Sequence, residues 1–130
     1  MNSSLSIDNK YIYQYLTNSS KPKGIVHICH GMAEHIKRYS WLIEKLNVDG
    51  YHVISIDHRG HGNRIENNIK GYFGDINGWN MVVKDLLELV EGSKNKFPNL
   101  KQYVLAHSMG SWIALAAMQK GMNVDGLIIS

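Results

Sequence analysis

Short apolar segments alternate with amphipathic segments along this chain, and that alternation limits the fold more than any other feature of the sequence. Four apolar segments are typical of strands buried on both faces, and they span residues 25–29, 51–56, 102–106 and 126–130. Between them, apolar residues three and four positions apart predict helices over residues 36–46, 79–90 and 108–120. Residues 11–16 are rich in β-forming side chains and predict an earlier strand. Because strand–helix–strand units cross over right-handed, we expect an α/β fold with a mostly parallel sheet and helices on both faces.

The composition fits a packed domain and argues against two other classes of protein. Of the 130 residues, 44% are hydrophobic and 19% are charged, which suits a globular core and excludes a disordered chain. The formal net charge is only +3 and the basic residues are scattered, whereas a nucleic-acid-binding surface needs them clustered on one face. We therefore expect no nucleic-acid partner.

Three features bear on the compartment. The single cysteine, Cys29, excludes a disulfide within the chain, which is compatible with a reducing compartment. Residues 1–8 are polar and lack the basic-then-apolar order of a signal peptide. No apolar run reaches the roughly 18 residues that a membrane-spanning segment needs. The sequence predicts a cytoplasmic protein without a transmembrane segment, and it leaves open a transient contact with a membrane surface.

Ser108 lies between the third predicted strand and a helix, in the segment Ala106-His107-Ser108-Met109-Gly110. A serine nucleophile needs a base that takes its proton and fixed N–H donors that hold the oxyanion formed on attack. A sharp strand-to-helix turn exposes such a serine, and small residues two positions before and after it let neighbouring backbone approach. We expect Ser108 to be a catalytic nucleophile, with a simple helix N-cap as the alternative. His107 is not expected to be the base, because adjacent residues of this turn point in different directions.

The segment His30-Gly31-Met32 directly follows the first of the four apolar strands. Hydrolases with a nucleophile on this kind of turn build the second half of their oxyanion hole there. The expected donors are the backbone N–H groups of Met32 and Met109. Gly31 is expected to let the backbone turn with its N–H toward the site. Taken alone, His-Gly after a strand would be a plain turn, and the nucleophile segment downstream favours the functional interpretation.

Four motifs in the same order resemble those of monoacylglycerol lipases and bacterial lysophospholipases, which are α/β-hydrolases. They occupy residues 30–39, 57–62, 71–75 with Gly78-Trp79, and 106–110. Alanine stands at 106 where the elbow pattern has glycine, and it adds one methyl group. The resemblance covers about residues 25–130 and implies a serine hydrolase that cleaves carboxylic esters through an acyl-enzyme without a cofactor. Its substrate would be a small acyl ester or lipid, such as a monoacylglycerol or lysophospholipid.

The resemblance also implies supporting roles for polar residues. Those near the start of the first helix are expected to orient the site without doing chemistry, and they are Glu34, His35, Arg38 and Tyr39. Asp57 and Arg59 are expected to tie the loop after the second strand to its surroundings through an ion pair. Two solvated loop charges are the alternative, since exposed pairs contribute little.

Seven histidines raise the question of a metal site. His27 and His30 lie on or beside one strand at a spacing of three, which turns them to opposite faces. No pair of cysteines or H-E-x-x-H pattern accompanies them or the nearby His58 and His61. We expect structural or loop histidines and no metal, and we expect Cys29 to be a small core residue.

The chain order of this fold is serine, then an acid, then histidine, and no histidine follows Ser108. Asp125 is the sole acid after it and precedes the last strand at its entry end, away from the expected site. We therefore expect residues 1–130 to be the N-terminal part of one α/β-hydrolase domain, incomplete on the C-terminal side and without the lid, the triad Asp and the triad His. A truncated gene product and a partner chain that completes the sheet are the alternatives, and the oligomeric state is left open.

Other functions also stay open. A peptidase or a C–C bond hydrolase shares the fold, because fold alone does not fix the reaction. A catalytically inactive fragment or a binding module would keep the serine turn without its base.

Overall fold

The computed structural model describes residues 11–65, 70–74 and 77–130. Five strands and three α-helices follow the predicted alternation, in the order β1 (Ile12–Tyr15), β2 (Gly24–Cys29), α1 (Ser40–Val48), β3 (Tyr51–Ile56), α2 (Gly78–Lys96), β4 (Gln102–Ala106), α3 (Met109–Gln119) and β5 (Gly126–Ile129). Short 3₁₀ turns at Ile36–Tyr39 and Gly62–Arg64 precede α1 and follow β3. The polar segment 1–8 and Asp75 of the third motif lie outside the described residues.

One mixed sheet has the strand order β1-β3-β2-β4-β5. Strand β1 pairs antiparallel with β3, and every other pairing is parallel. All six residues of β2 are buried, because it lies at the centre of the sheet and is covered on both faces. The predicted fold class is confirmed, and the antiparallel β1 at one edge is the feature that the sequence left unspecified.

Successive residues of β2 face opposite sides of the sheet, and each side has its own core. Ile25 and Cys29 pack in a cluster with residues of α2 and α3. Val26 and Ile28 pack in a second cluster with Ile43 of α1. The period-2 alternation of a strand therefore places α1 on one face and the other two helices on the opposite face.

The side of the sheet that ends at β5 is open. Among the described strands β5 pairs only with β4, and its Ile128 and Ile129 side chains are 59% and 48% exposed. Trp112 on the neighbouring α3 is 69% exposed. Apolar side chains are therefore exposed along this side of the sheet.

Within the described part of the chain, no helix is long and apolar enough to cross a bilayer.

Candidate active site

Ser108 is held in a strained turn between β4 and α3. Its backbone has φ 54° and ψ −121°, in the positive-φ region that residues with a side chain rarely adopt. Two hydrogen bonds close the turn, since the Gly110 N–H donates to the His107 carbonyl and the Ser111 N–H donates to the Ser108 carbonyl, at 2.9 and 2.8 Å. Ser108 is exposed at the carboxyl-end edge of the sheet. Here the sharp strand-to-helix turn expected from the sequence is present.

Gly110 is required because α3 starts almost in contact with the end of β2. A Cβ atom at this position would overlap the carbonyl oxygen of Cys29 and would lie 2.7 Å from the carbonyl oxygen of His30. Real Cβ atoms almost never approach other atoms within 3.0 Å, so a side chain here would push the helix away from the strand. The absence of a side chain at 110 thus brings Ser108 close to the segment after β2.

The segment His30-Gly31-Met32 lies beside the serine turn. A Cβ atom at Gly31 would be 3.2 Å from the Ser108 Cβ and 3.3 Å from the His107 carbonyl oxygen. Close approach is therefore the reason for this glycine, whose φ is not positive; the left-handed residue of the loop is Ala33, with φ 61°. The Met32 side chain is 53% exposed at the surface of the site.

The Gly31 N–H was expected to face the site, and this expectation is wrong. It donates to Glu34 Oε1 at 2.7 Å and is not free to face a substrate. Among the described residues, no acceptor is found for the N–H groups of Met32 and Met109, which are the two expected oxyanion donors.

The Glu34 carboxylate connects the loop to the start of α1. Besides Gly31 it accepts a hydrogen bond from the Tyr39 hydroxyl at 2.8 Å, and the Arg38 guanidinium lies 3.8 Å away. Partial burial acts to raise the pKa of Glu34, but the hydrogen bonds from Gly31 and Tyr39 outweigh it and lower that pKa. His35 is exposed, and its carbonyl accepts the Arg38 N–H at 3.1 Å.

Two buried histidines join the ends of β2 and β3. The His58 N–H donates to His30 Nε2 at 3.0 Å, and His58 Nε2 donates back to the His30 carbonyl at 3.0 Å. The Nδ1–H of His30 donates to the Gly31 carbonyl at 2.8 Å. Burial lowers the pKa of both rings, so both are neutral near pH 7. His61 packs on the His30 ring with centroids 5.3 Å apart.

The loop after β3 is tied to its surroundings by an ion pair at Arg59, as expected, but by hydrogen bonds at Asp57. Asp57 is buried and accepts hydrogen bonds from the Ile36 N–H at 2.8 Å and from the Tyr13 hydroxyl at 3.1 Å. The ion pair of Arg59 is bidentate and goes to Asp85 of α2, at 2.8 and 3.2 Å. Asp57 therefore anchors the loop through hydrogen bonds, and the ion-pair partner is a residue that the sequence did not single out.

His107 and Asp125 do not assemble a triad with Ser108. His107 is exposed and its Nδ1 lies 3.3 Å from the Ser130 hydroxyl. Asp125 accepts the backbone N–H of Gln102 at 2.9 Å, at the start of β4 and therefore at the opposite end of the strand from the serine. Within residues 11–65, 70–74 and 77–130, no side chain forms a hydrogen bond with the Ser108 hydroxyl.

The described part of the chain contains no group of three His, Cys, Asp or Glu side chains arranged to hold a metal ion. His27 is buried in the core, where its ring bonds the Ile54 carbonyl and Gln102 Oε1. Burial also raises the pKa of the Cys29 thiol to about 12, which keeps it protonated.

A cavity of about 350 Å³ opens beside the segment that follows β2, and Met32, Glu34 and His61 are among its lining residues. A larger one of about 600 Å³ lies between the end of β1 and α1, and its lining includes none of the site residues. The smaller of these two cavities is therefore the one lined by the segment after β2, which holds the expected oxyanion donor Met32.

The sequence matches a known protein family and several lipase relatives. Residues 20–130 match the family described as serine aminopeptidase, S33. The monoglyceride lipase homolog of Monkeypox virus is 36% identical over 124 residues, which are 95% of this chain and 43% of that protein. The monoacylglycerol lipase of Mycolicibacterium smegmatis is 34% identical over 107 residues, 82% of this chain and 36% of that protein.

Solved structures agree with the sequence relatives. A lipase in its open form superposes with a TM-score of 0.82 at 34% identity, covering 91% of this chain and 38% of that one. A soluble variant of monoglyceride lipase from Saccharomyces cerevisiae gives 0.78 at 26% identity, covering 91% and 39%. The chain spans about two fifths of the length of the curated relatives it matches. The chain therefore belongs to the serine aminopeptidase S33 family, with the α/β-hydrolase fold and the lipase resemblance that its motifs predicted.

Proposed function

We propose that these residues are the N-terminal part of one α/β-hydrolase domain, and that the whole protein hydrolyses carboxylic esters with Ser108 as nucleophile. The observation that carries this proposal is the strained turn at Ser108, directly beside the loop after β2. A non-glycine residue at positive φ stores of order 1–3 kcal/mol of strain and is concentrated at functional sites. The lipase relatives and the open apolar side of β5 support the same assignment.

In the proposed reaction the Ser108 Oγ attacks the ester carbonyl carbon while a histidine from outside these residues takes its proton. The carbonyl oxygen becomes an oxyanion, and the N–H groups of Met32 and Met109 hold it. The carbon–oxygen bond to the alcohol then breaks, the histidine returns the proton to the leaving alcohol, and the acyl group stays on Ser108. Water repeats the sequence and releases the carboxylic acid. Because Met109 begins α3, the positive end of that helix dipole also faces the developing charge.

A monoacylglycerol or a lysophospholipid is the proposed substrate, and a transient contact with a membrane surface would give access to it. The names of the relatives support this class, including a monoacylglycerol lipase and a lysophospholipase L2 of Escherichia coli. A peptidase is the second candidate, since the matched family is described as a serine aminopeptidase. A cytoplasmic location remains a prediction from the sequence, to be tested by cell fractionation.

Turnover by the full-length protein distinguishes these candidates. We expect release of fatty acid from a monoacylglycerol or a lysophosphatidylcholine, no release of p-nitroaniline from aminoacyl-p-nitroanilides, and loss of ester turnover in Ser108→Ala. Cleavage of the anilides without ester hydrolysis would instead favour the peptidase. Residues 1–130 alone should turn over a short-chain ester poorly, since they hold no histidine after Ser108.

A further inference from the structure

His30 has both ring nitrogens committed to backbone groups of two different segments. A carbonyl can only accept, so the contact of Nδ1 with the Gly31 oxygen fixes the proton on Nδ1. A backbone N–H can only donate, so Nε2 accepts from His58. These two bonds select one neutral tautomer of a fully buried ring.

The Gly31 carbonyl belongs to the same peptide unit as the Met32 N–H. No cis peptide bond occurs in the described residues, and a planar trans peptide directs its C=O and its N–H in opposite directions. The His30 ring is fully buried beneath this unit's carbonyl, whereas the Met32 side chain is 53% exposed and Ser108 is exposed. A bond that holds the carbonyl inward therefore turns the Met32 N–H outward.

The rest of the loop is anchored separately. Glu34 holds the Gly31 N–H, one peptide unit earlier, and His58 returns a bond to the His30 carbonyl. These contacts fix the chain up to Gly31 and leave the rotation of the Gly31–Met32 unit to His30 and to a longer contact of 3.4 Å from the Glu34 N–H to the same carbonyl. The 2.8 Å bond from His30 is the shorter of the two and the stronger constraint.

We propose that His30 is a positioning residue, whose Nδ1–H holds the Gly31 carbonyl and thereby aims the Met32 N–H at the oxyanion of the Ser108 reaction. This inference rests on the proposed function of Ser108 and extends it to a residue that never touches substrate. The donated hydrogen bond also polarises the peptide and makes its N–H a better donor. His58 contributes indirectly. Because its backbone N–H donates to Nε2 of His30, that nitrogen stays unprotonated and the ring proton stays on Nδ1.

Two substitutions separate a positioning role from simple packing. His30→Asn places an amide N–H near the position of Nδ1 and can keep the bond to the Gly31 carbonyl, whereas His30→Leu removes every donor. Because misplacing one donor by about 1 Å costs up to roughly 100-fold in rate, we expect His30→Leu to lower kcat 10- to 100-fold with KM within about threefold. His30→Asn should stay within about fivefold of the wild-type kcat.

His27 provides the matched control. It is equally buried, on the strand that His30 follows, and has both ring nitrogens bonded, but to Ile54 and Gln102 in the core. His27→Leu and His27→Asn should lower stability while the kcat per active site stays at the wild-type value. Active sites are counted with a fluorophosphonate, so unfolded molecules do not enter the rate.

Wild-type kcat in His30→Leu, or equal losses in His30→Leu and His30→Asn, would overturn the positioning role. Absence of any ester hydrolysis by wild-type protein would be a failure of the proposed function instead. In that case ¹⁵N NMR of the ring nitrogens still decides the structural half of the inference. A neutral His30 with its proton on Nδ1 is expected, and a proton on Nε2 would contradict the arrangement.

Discussion

The strain at Ser108 makes an unusual prediction about stability. Replacing Ser108 by Gly and by Ala removes the hydroxyl in both variants, so the two differ in backbone freedom. At φ 54° and ψ −121°, alanine keeps a strain of about 1–3 kcal/mol that glycine does not have. Glycine loses about 0.4–1 kcal/mol through the greater freedom of its unfolded chain. With the middle of each range, the difference predicts that Ser108→Gly is more stable than Ser108→Ala by about 1.3 kcal/mol.

Ser111 supplies a control with the opposite sign. It lies inside α3, where glycine is less stable than alanine by about 1 kcal/mol, so Ser111→Gly should unfold more easily than Ser111→Ala. Urea unfolding followed by tryptophan fluorescence measures all four free energies. If Ser108→Gly is no more stable than Ser108→Ala, the turn is not strained and the reasoning from strain to function fails.

Two further predictions concern the packing around the site. Gly110→Ala should lower the free energy of unfolding by about 3 kcal/mol, because the added Cβ would overlap backbone atoms. Gly126→Ala should lower it less, because the added Cβ would contact only the Tyr103 ring, at 3.0 Å, and that ring can move. Equal urea midpoints for the two variants would refute this. Burial lowers the pKa of four histidines from 6.5, namely His27, His30, His52 and His58. Just below pH 6.5 these histidines take up protons in the unfolded chain but not in the folded one. The free energy of unfolding should therefore decrease as the pH is lowered, by at most about 1.4 kcal/mol per pH unit for each histidine. Unfolding free energies that are equal at pH 7.5 and 5.5 would contradict the neutral buried rings.

Local patterns were sufficient for most of the fold. Residues 102–106 were predicted as a strand and form β4 with the same bounds. A short apolar run between helical segments is typical of a parallel strand that is buried on both faces. The predicted first helix instead begins as a 3₁₀ turn at Ile36–Tyr39 and becomes α-helical only at Ser40. Apolar spacing does not distinguish these two helical forms near an end.

Contacts between distant residues were harder to predict. The partner of Arg59 is Asp85, 26 positions away on a helix whose apolar pattern gave no reason to single out that acid. The mutual bonds of His30 and His58 span 28 positions and depend on the parallel pairing of β2 with β3. Gly31 was expected to turn its N–H toward the site, but the N–H donates to Glu34. A Cβ at this position would lie within 3.2 Å of both the Glu34 carboxylate and the Ser108 Cβ, a contact that only the packed structure reveals.

The central claim is that Ser108 is the nucleophile, and covalent labelling tests it most directly. A fluorophosphonate should add one phosphonyl group to the full-length protein, and peptide mass spectrometry should locate it on Ser108. Ser108→Ala should abolish the labelling, while Ser111→Ala, in the first turn of the helix that follows, should retain it. Labelling that persists in Ser108→Ala, or that maps to another residue, would contradict the account.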